Sequence, residues 1–266
     1  MKLRNKKVLL TGASGGIGQP IARALAEQGT SLILAGRNLS ALEQQKAAMA
    51  SSGVVIETVE LDLASVHLLD QVRDLLSRHP DIDVLINAAG VNHFLACDDV
   101  AVDQLSLIID INLKGTLLLT TALLPALQQR PEAAIVNIGS TFGSIGYPGF
   151  SAYCASKFGV RGYSEALRRE LAATNVSVFY LAPRATQTTM NEQAVNEMNQ
   201  ALGVTMDEPD WVAHQIVNAI ERNRFKLFLG WPEKLFVFIN SLFSNVVDKA
   251  LIKQLPTIQR YLKKEA

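Results

Sequence analysis

The sequence predicts an α/β fold: one doubly wound parallel sheet of about seven strands, helices on both faces, and a C-terminal hydrophobic and basic helical extension. Three observations predict it. Short apolar runs alternate with segments of helical periodicity. Every connection is long enough for a crossover. Small or turn-forming residues recur where the apolar runs end. The 266 residues are 48% hydrophobic, which suffices for one large core. Lys and Arg number 25, as do Asp and Glu, so no global field points to nucleic acid. The two cysteines, Cys97 and Cys154, stand in no metal-binding spacing; no metal site and no disulfide scaffold is expected, and a reducing cytoplasm suits them.

Met1 to Lys7 is short and basic, and the apolar run Val8-Leu9-Leu10 reads as a first buried strand, with no signal-peptide cleavage pattern after it. Thr11-Gly12-Ala13-Ser14-Gly15-Gly16-Ile17-Gly18 follows, and then Ile21, Ala22, Leu25 and Ala26 at helical spacing up to Gly29, a C-terminal cap. A glycine-rich turn between a strand and a helix favours an anion, because the backbone approaches closely and the helix start offers unused N–H groups. The second strand, Ser31 to Ala35, ends at Gly36-Arg37-Asn38. An acid here would bind a ribose 2′-hydroxyl; an Arg accommodates a 2′-phosphate. Arg37, with Ser14 adding a hydroxyl, therefore predicts NADP(H) over NAD(H).

Leu39 to about Ala50 reads as a helix, Val54 to Leu61 as an alternating strand ending at Asp62-Leu63, and Val66 to Arg78 as an amphipathic helix stopped by Pro80. Val84-Leu85-Ile86 is a fourth strand, ending at Asn87-Ala88-Ala89-Gly90. Val102 to Gln129 has long helical periodicity interrupted by Asn112, which either faces solvent or marks a local distortion around an internal water. Ala134 to Ile138 leads into Gly139-Ser140-Thr141, and Ser151 is a candidate N-cap for a helix to about Ala173. On it, Gly159 and Gly162 would admit a neighbouring helix. Tyr153 and Lys157 lie four apart on one face, and an ammonium beside a phenol should lower the phenol's pKa toward working pH. Val176 to Leu181 is the sixth strand, closed by Pro183; Asp210 to Arg222 is a helix and Lys226 to Leu229 a seventh strand. In this topology Gly12, Asn87, Ser140 and Pro183 converge at the carboxyl ends of the strands.

From residue 5 to about 230 the chain resembles a classical short-chain dehydrogenase/reductase. Thr11-Gly12 with Gly16 and Gly18 matches that family's cofactor turn, Asp62 its acid near the adenine, and Asn87 to Gly90 its Asn-Ala-Gly element. Asn112, Ser140, Tyr153 and Lys157 match its catalytic tetrad. The resemblance implies a Rossmann-type fold and a dimer or tetramer. It implies cofactor contacts from Gly12, Ser14, Gly16, Ile17, Gly18, Arg37, Asp62, Leu63, Asn87, Tyr153, Lys157, Pro183 and Thr188. It also implies roles: Tyr153 as proton donor or acceptor, Lys157 lowering its pKa and holding the nicotinamide ribose, Ser140 binding the substrate oxygen, and Asn112 holding a water. The chain departs from the family at Arg184, where a Gly is usual; this cation either meets an acidic substrate group or points to solvent. His93 is a further candidate for the substrate pocket, against a plain loop position.

The expected organisation is a cofactor-binding catalytic domain over residues 1–230, with a substrate lid at about 184–210, and an extension over 231–266. Met190, Met198 and Met206 in the lid suit an adaptable apolar surface or ordinary packing. In the extension, Leu235 to Val247 is rich in Phe, Leu, Ile and Val, and Lys249, Lys253, Arg260, Lys263 and Lys264 follow. This run is too short for the about 20 residues of a spanning helix. It fits peripheral contact with the inner face of a membrane, or an arm covering the protein's own core or a partner subunit. The expected function is transfer of hydride between NADP(H) and a small carbonyl or alcohol substrate, a hydrophobic ketone, aldehyde or 3-oxoacyl compound. The alternative is a catalytically silent cofactor-binding scaffold.

Overall fold

Seven strands in the order 3-2-1-4-5-6-7, all parallel, form the sheet. The computed structural model describes residues 1–188 and 190–262. The strands are β1 (Lys7–Thr11), β2 (Ser31–Gly36), β3 (Ile56–Glu60), β4 (Val84–Asn87), β5 (Ala133–Ile138), β6 (Val176–Ala182) and β7 (Lys226–Phe228). The helices are α1 (Gly18–Glu27), α2 (Leu39–Ala48), α3 (Leu68–Arg78), α4 (Val102–Ile109), α5 (Thr116–Gln128), α6 (Ser151–Glu170), α7 (Gln193–Ala201), α8 (Pro209–Glu221), α9 (Glu233–Leu242) and α10 (Ser244–Tyr261).

Because successive strand residues point to opposite faces, each strand feeds two cores. Val8, Leu10, Leu32, Leu34 and Phe179 pack with α1 and α8, while Leu9, Ile33, Leu85, Ile135 and Val178 pack with α3, α5 and the end of α6. This is the predicted doubly wound, Rossmann-type α/β sheet. The strands carry continuous apolar runs because both faces are covered. Element bounds shift by a few residues from the sequence reading. Ser151 does not cap α6: Phe150 occupies the cap position and Ser151 opens the helix. Gly159 does admit a neighbour, since a Cβ there would lie 2.9 Å from Leu113, but Gly162 faces open space.

The long helical segment beginning at Val102 changes pitch in its middle. Asp110–Gly115 forms a π-helical turn between α4 and α5. A widened turn of this kind is the distortion that Asn112 signalled, and it turns the Asn112 side chain inward, leaving it 1% exposed. Gly115 ends the turn against Leu63, whose carbonyl oxygen would lie 2.5 Å from a Cβ at that position. The segment Val102–Gln128 is long and apolar enough to cross a membrane by length and composition. It is a core helix here, with Leu119, Leu123 and Leu127 fully buried.

The segment that leaves the sheet at Arg184 is stitched at its far end, at Asp207, to its start. Thr186 and Asp207 form a parallel bridge, and the Asp207 amide donates to the Ala185 carbonyl at 2.9 Å. Arg184 completes the stitch: Nε and Nη2 donate to the two Asp207 carboxylate oxygens at 3.0 and 2.7 Å, and Nη1 donates to Glu233 and to the Trp231 carbonyl, each at 3.0 Å. Both sequence alternatives for Arg184, substrate contact and solvent, are therefore corrected. A planar five-donor cation matches two carboxylates better than either, and all three of its nitrogens are engaged within the protein. The side chain runs across Gly230, at φ +86°, where a Cβ would lie 2.3 Å from Arg184 Cδ. One face of the extension also covers the protein's own core: Val237 and Val247 pack on Ile145, and Ile258 joins Phe94, Phe150 and Met198. Met198 is core, not an adaptable surface. Lys263 and Lys264 lie outside the described residues. Arg184→Ala would leave the Asp207 carboxylate, 9% exposed, without its cation. The expected loss is about 3 kcal/mol in urea unfolding, the low end for breaking a buried pair.

Candidate active site

The glycine turn makes a cleft because three of its positions have no room for a side chain. A Cβ on Gly12 (φ +63°) would lie 2.6 Å from Ala89 Cα, one on Gly16 would lie 2.5 Å from Thr188 Cβ, and one on Gly18 would lie 2.0 Å from the Gly12 carbonyl oxygen. The turn is thus pressed between the β4 loop and Thr188. Helix α1 begins behind it with Ile17 at the cap position, so no side-chain oxygen occupies its N-terminal amides. The cleft has a volume of about 580 Å³, and its lining includes Gly12, Ser14, Arg37, Asp62, Leu63 and Gly90. Among the described residues lining it, Asp62 is the one acid. Its Oδ1 accepts from the Ala64 amide at 3.0 Å. Arg37 is exposed at the mouth. Gly-lined backbone, a helix start and a cation suit a dinucleotide with an additional phosphate.

The floor of the site is a polar row across the sheet. Thr11, Asn87, Asn137 and Tyr180 are register partners from β1 to β6. Thr11 Oγ1 accepts from the Ala88 and Ala89 amides at 3.2 and 3.3 Å, fixing the loop that carries Gly90. Asn87 Nδ2 donates to Thr120 at 3.0 Å and to Asn137 at 2.8 Å, and Asn137 donates to Ser164 at 2.8 Å. The Asn87 side chain is therefore committed to the sheet interior, and this position meets the cleft through the loop it starts. Tyr180 donates to the Ser140 carbonyl at 3.3 Å. Its ring fills the space that side chains on Gly139 and Gly143 would take. Asn137, Tyr180 and Ser164 escaped the sequence reading. A Tyr inside an apolar strand, three residues before Pro183 and level with a strand Asn, was the available signal. The Pro183 carbonyl accepts from Thr141, which ties the β6 end to the Ser140 loop.

Asn112, Ser140, Tyr153 and Lys157 come together at this edge. Asn112 clamps Val91, accepting from its amide and donating to its carbonyl, both at 2.8 Å, and donates to Ser156 at 3.1 Å. Ser140 Oγ accepts from the Phe142 amide at 3.1 Å and stands near enough to the Tyr153 hydroxyl to lower its pKa. Lys157 is 7% exposed; its Nζ donates to the Ile138 carbonyl at 3.1 Å and lies 5.7 Å from the Tyr153 ring centroid. Gly90 joins cleft and site, since a Cβ on it would lie 3.3 Å from Asn112 Oδ1 and 3.6 Å from Lys157 Nζ.

The pKa expectation for the pair is corrected. Burial pushes the Tyr153 phenol up to about 12, and the Ser140 side chain offsets this only in part. Burial likewise pushes the Lys157 ammonium down to about 8. Both neutral forms gain from desolvation, and this outweighs the attraction between phenolate and ammonium. Beyond the hydroxyl lies an aromatic cluster. Phe142 stacks on Tyr147 with centroids 4.8 Å apart, and Phe94 stacks on Phe150 at 5.0 Å. Tyr153, Met198, Tyr261 and Leu262 belong to the same cluster, so α7 and the extension both contribute to it. Position 93 is half-buried at the edge of this cluster, one residue before Phe94. Cys154, on the same helix as Tyr153, is buried in the cluster, its sulfur accepting from the Tyr147 amide at 3.4 Å.

A doubly wound parallel sheet with a glycine cleft at its carboxyl edge and a Tyr–Lys–Ser cluster beside it defines a dinucleotide-dependent oxidoreductase fold. The comparisons agree. The family model described as short chain dehydrogenase matches residues 6–199. The chain is 33% identical over 255 residues to dehydrogenase/reductase SDR family member 7B of Bos taurus, covering 90% of this chain and 78% of that protein. A short chain dehydrogenase from Burkholderia cenocepacia, solved in complex with NADP, superposes with a TM-score of 0.80 at 23% identity, covering 94% of this chain and 99% of its own. An alcohol dehydrogenase from Thermococcus sibiricus, complexed with 5-hydroxy-NADP, gives 0.74 at 24% identity, covering 85% and 96%. The chain belongs to the short-chain dehydrogenase/reductase family.

The Lys157 amine gives the site a measurable signature. Carbon-detected NMR of labelled lysine should show one side chain titrating at about 8, against 10.5 for an ordinary lysine, and Lys157→Met should remove it. The sign of the linkage follows. Between these values the unfolded chain holds the proton that the folded chain has released, so the Lys157 contribution to stability rises with pH through this window and is lost as pH falls below about 8.

Proposed function

We propose that the chain is an NADP(H)-dependent carbonyl reductase or alcohol dehydrogenase acting on a hydrophobic ketone, aldehyde or 3-oxoacyl compound, working in the direction of reduction. The observation that carries this reading is the buried Lys157 amine, whose Nζ lies 5.7 Å from the Tyr153 ring centroid and 3.6 Å from where a Cβ on Gly90 would stand, which joins the Tyr–Lys pair to the glycine cleft. NADPH supplies the hydride when it is bound. Every other function belongs to the chain's own residues. Gly12, Gly16, Ile17 and Gly18 hold the pyrophosphate on the start of α1, and Arg37 with Ser14 meets the 2′-phosphate. Asp62 and Leu63 flank the adenine end, and Asn87 leads the backbone to Gly90. Pro183 and Thr188 bound the nicotinamide end, and Thr188 lies against Gly16. That both solved relatives above were captured with NADP or 5-hydroxy-NADP supports the choice of cofactor.

At the reacting end, Ser140 and Tyr153 bind the carbonyl oxygen, and Tyr153 donates the proton as negative charge develops there. A phenol held neutral by burial is protonated at neutral pH and ready to act as the acid. Lys157, with a pKa of about 8, is mostly ammonium at neutral pH; it grips the nicotinamide ribose and favours the phenolate once the proton has left. Asn112 keeps the Gly90–Val91 turn in place, beside the Lys157 amine, and the water assigned to it by resemblance belongs in this relay. The aromatic wall of Phe94, Phe142 and Phe150 excludes solvent and selects an apolar substrate body. His93 stands at its rim as a secondary substrate contact. The unpaired thiols Cys97 and Cys154 suit a cytoplasmic location, and the family resemblance suits a homodimer or homotetramer.

The test is loss of NADPH absorbance with a panel of apolar ketones, aldehydes and 3-oxoacyl thioesters. Tyr153→Phe should lower kcat by about 10²–10⁴-fold, the usual worth of a positioned acid, with NADPH affinity kept in calorimetry. Turnover near that of the native protein would sink the assignment. Arg37→Ala should weaken NADPH binding by roughly 10- to 100-fold, the loss of one charged hydrogen-bonding group, and leave NADH binding unchanged. Equal loss for both cofactors would overturn the 2′-phosphate reading.

A further inference from the structure

The inner faces of α9 and α10 are spent on the protein's own core, but their outer faces are not. In α9, Val237 is buried and Asn240 donates to the Ser144 carbonyl at 2.8 Å, so this side looks inward. Leu235, Phe238 and Leu242, at i, i+3 and i+7, form the opposite stripe and are 40%, 61% and 58% exposed. The stripe continues through the connecting Phe243 into Val246 at the start of α10, with Trp231 standing exposed before α9. In α10 the buried residues are Val247 and Ile258, while Val246, Lys249 and Lys253 share the outer face. Lys234 flanks the α9 stripe.

The charges on this surface are of one sign. Lys234, Lys249 and Lys253 are exposed, and no ion pair with a described carboxylate involves them. Of the acids in the two helices, Glu233 is bound to Arg184, and Asp248 falls about 160° around α10 from Val246. Residues 231–266 hold six Lys and Arg against three Asp and Glu, in a chain whose totals are equal. Such a face is poorly matched to itself, since a two-fold contact would bring its lysines toward their own copies. It is well matched to an apolar layer bordered by negative charge.

We propose that the outer face of α9 and the first turns of α10 is a membrane-docking surface that lies flat on bilayers carrying anionic headgroups. The Trp, Phe and Leu side chains enter the headgroup–acyl boundary and the lysines rest on the lipid charges. The surface is held to the catalytic domain at three points: Asn240 on the loop that follows Ser140, Val237 and Val247 on Ile145, and Glu233 on Arg184. Docking would therefore set the aromatic wall, to which Tyr261 and Leu262 contribute, beside the bilayer surface.

Vesicle flotation of the full-length protein tests this without reference to turnover. Phosphatidylcholine vesicles containing phosphatidylglycerol should carry the protein, and pure phosphatidylcholine vesicles should carry about tenfold less, with high salt lowering the anionic binding similarly. Phe238→Ser/Leu242→Ser should abolish flotation. Lys249→Gln/Lys253→Gln, which leaves the apolar stripe intact, should remove the preference for anionic lipid. Circular dichroism and thermal melting of each variant report whether the fold is kept. The proposal is overturned by a native protein that does not float, or by variants that fold and float as the native protein does. It is equally overturned if Phe238→Ser/Leu242→Ser leaves flotation absent in both forms but lowers the molar mass in light scattering, since a second copy would then cover the face.

Discussion

Parallel strands finish together, and the row of polar residues at their carboxyl ends is the constraint on which the rest of the molecule depends. Thr11, Asn87, Asn137 and Tyr180 lie side by side in register across β1, β4, β5 and β6. Burying these groups is tolerable only if each finds a partner. Thr11 and Tyr180 find theirs in the loops of the site, at the Ala88–Ala89 amides and the Ser140 carbonyl, while Asn87 and Asn137 find theirs at Thr120, at each other and at Ser164, with Asn87 Oδ1 left without a partner. Satisfying the strand ends thus shapes the loops. The same geometry leaves no volume for side chains at Gly12, Gly139 and Gly143.

On that platform, burial is the dominant electrostatic force. Tyr153 and Lys157 both move toward their neutral forms, in opposite directions on the pH scale. A simple pairing argument predicts a phenol drawn downward by its neighbouring ammonium. The folded site instead keeps the phenol protonated, and the ammonium is the group brought close to physiological pH. The amine is held in place by its bond to the Ile138 carbonyl.

Much of this was legible in the chain. The alternation of apolar runs and helical periods predicted the sheet and its layers, and the glycine turn, Asn112, Ser140, Tyr153 and Lys157 were found by motif and spacing. Asn112 even signalled its distorted helix, because an amide in a helix interior competes for backbone groups. Three things were not legible. Asn137 and Tyr180 read as ordinary strand residues, since register across a sheet is a tertiary property. The Tyr153 pKa depends on desolvation, which spacing does not encode. Arg184 read as a site or surface cation because its partners lie 23 and 49 positions away, at Asp207 and Glu233. The extension was read as either a membrane arm or a cover for the core; its inner face is a cover, and its outer face is where the proposed bilayer contact lies.

The Arg184 clamp bears on how the pocket would admit a molecule. In a flap hinged at its base, both stems swing and the whole segment lifts. Here the stems at Arg184 and Asp207 are locked to each other and to the start of α9, and Gly230 offers the clamp its track. Between these anchored ends lies helix α7. With its corners fixed in this way, any opening of the segment would have to come from its middle.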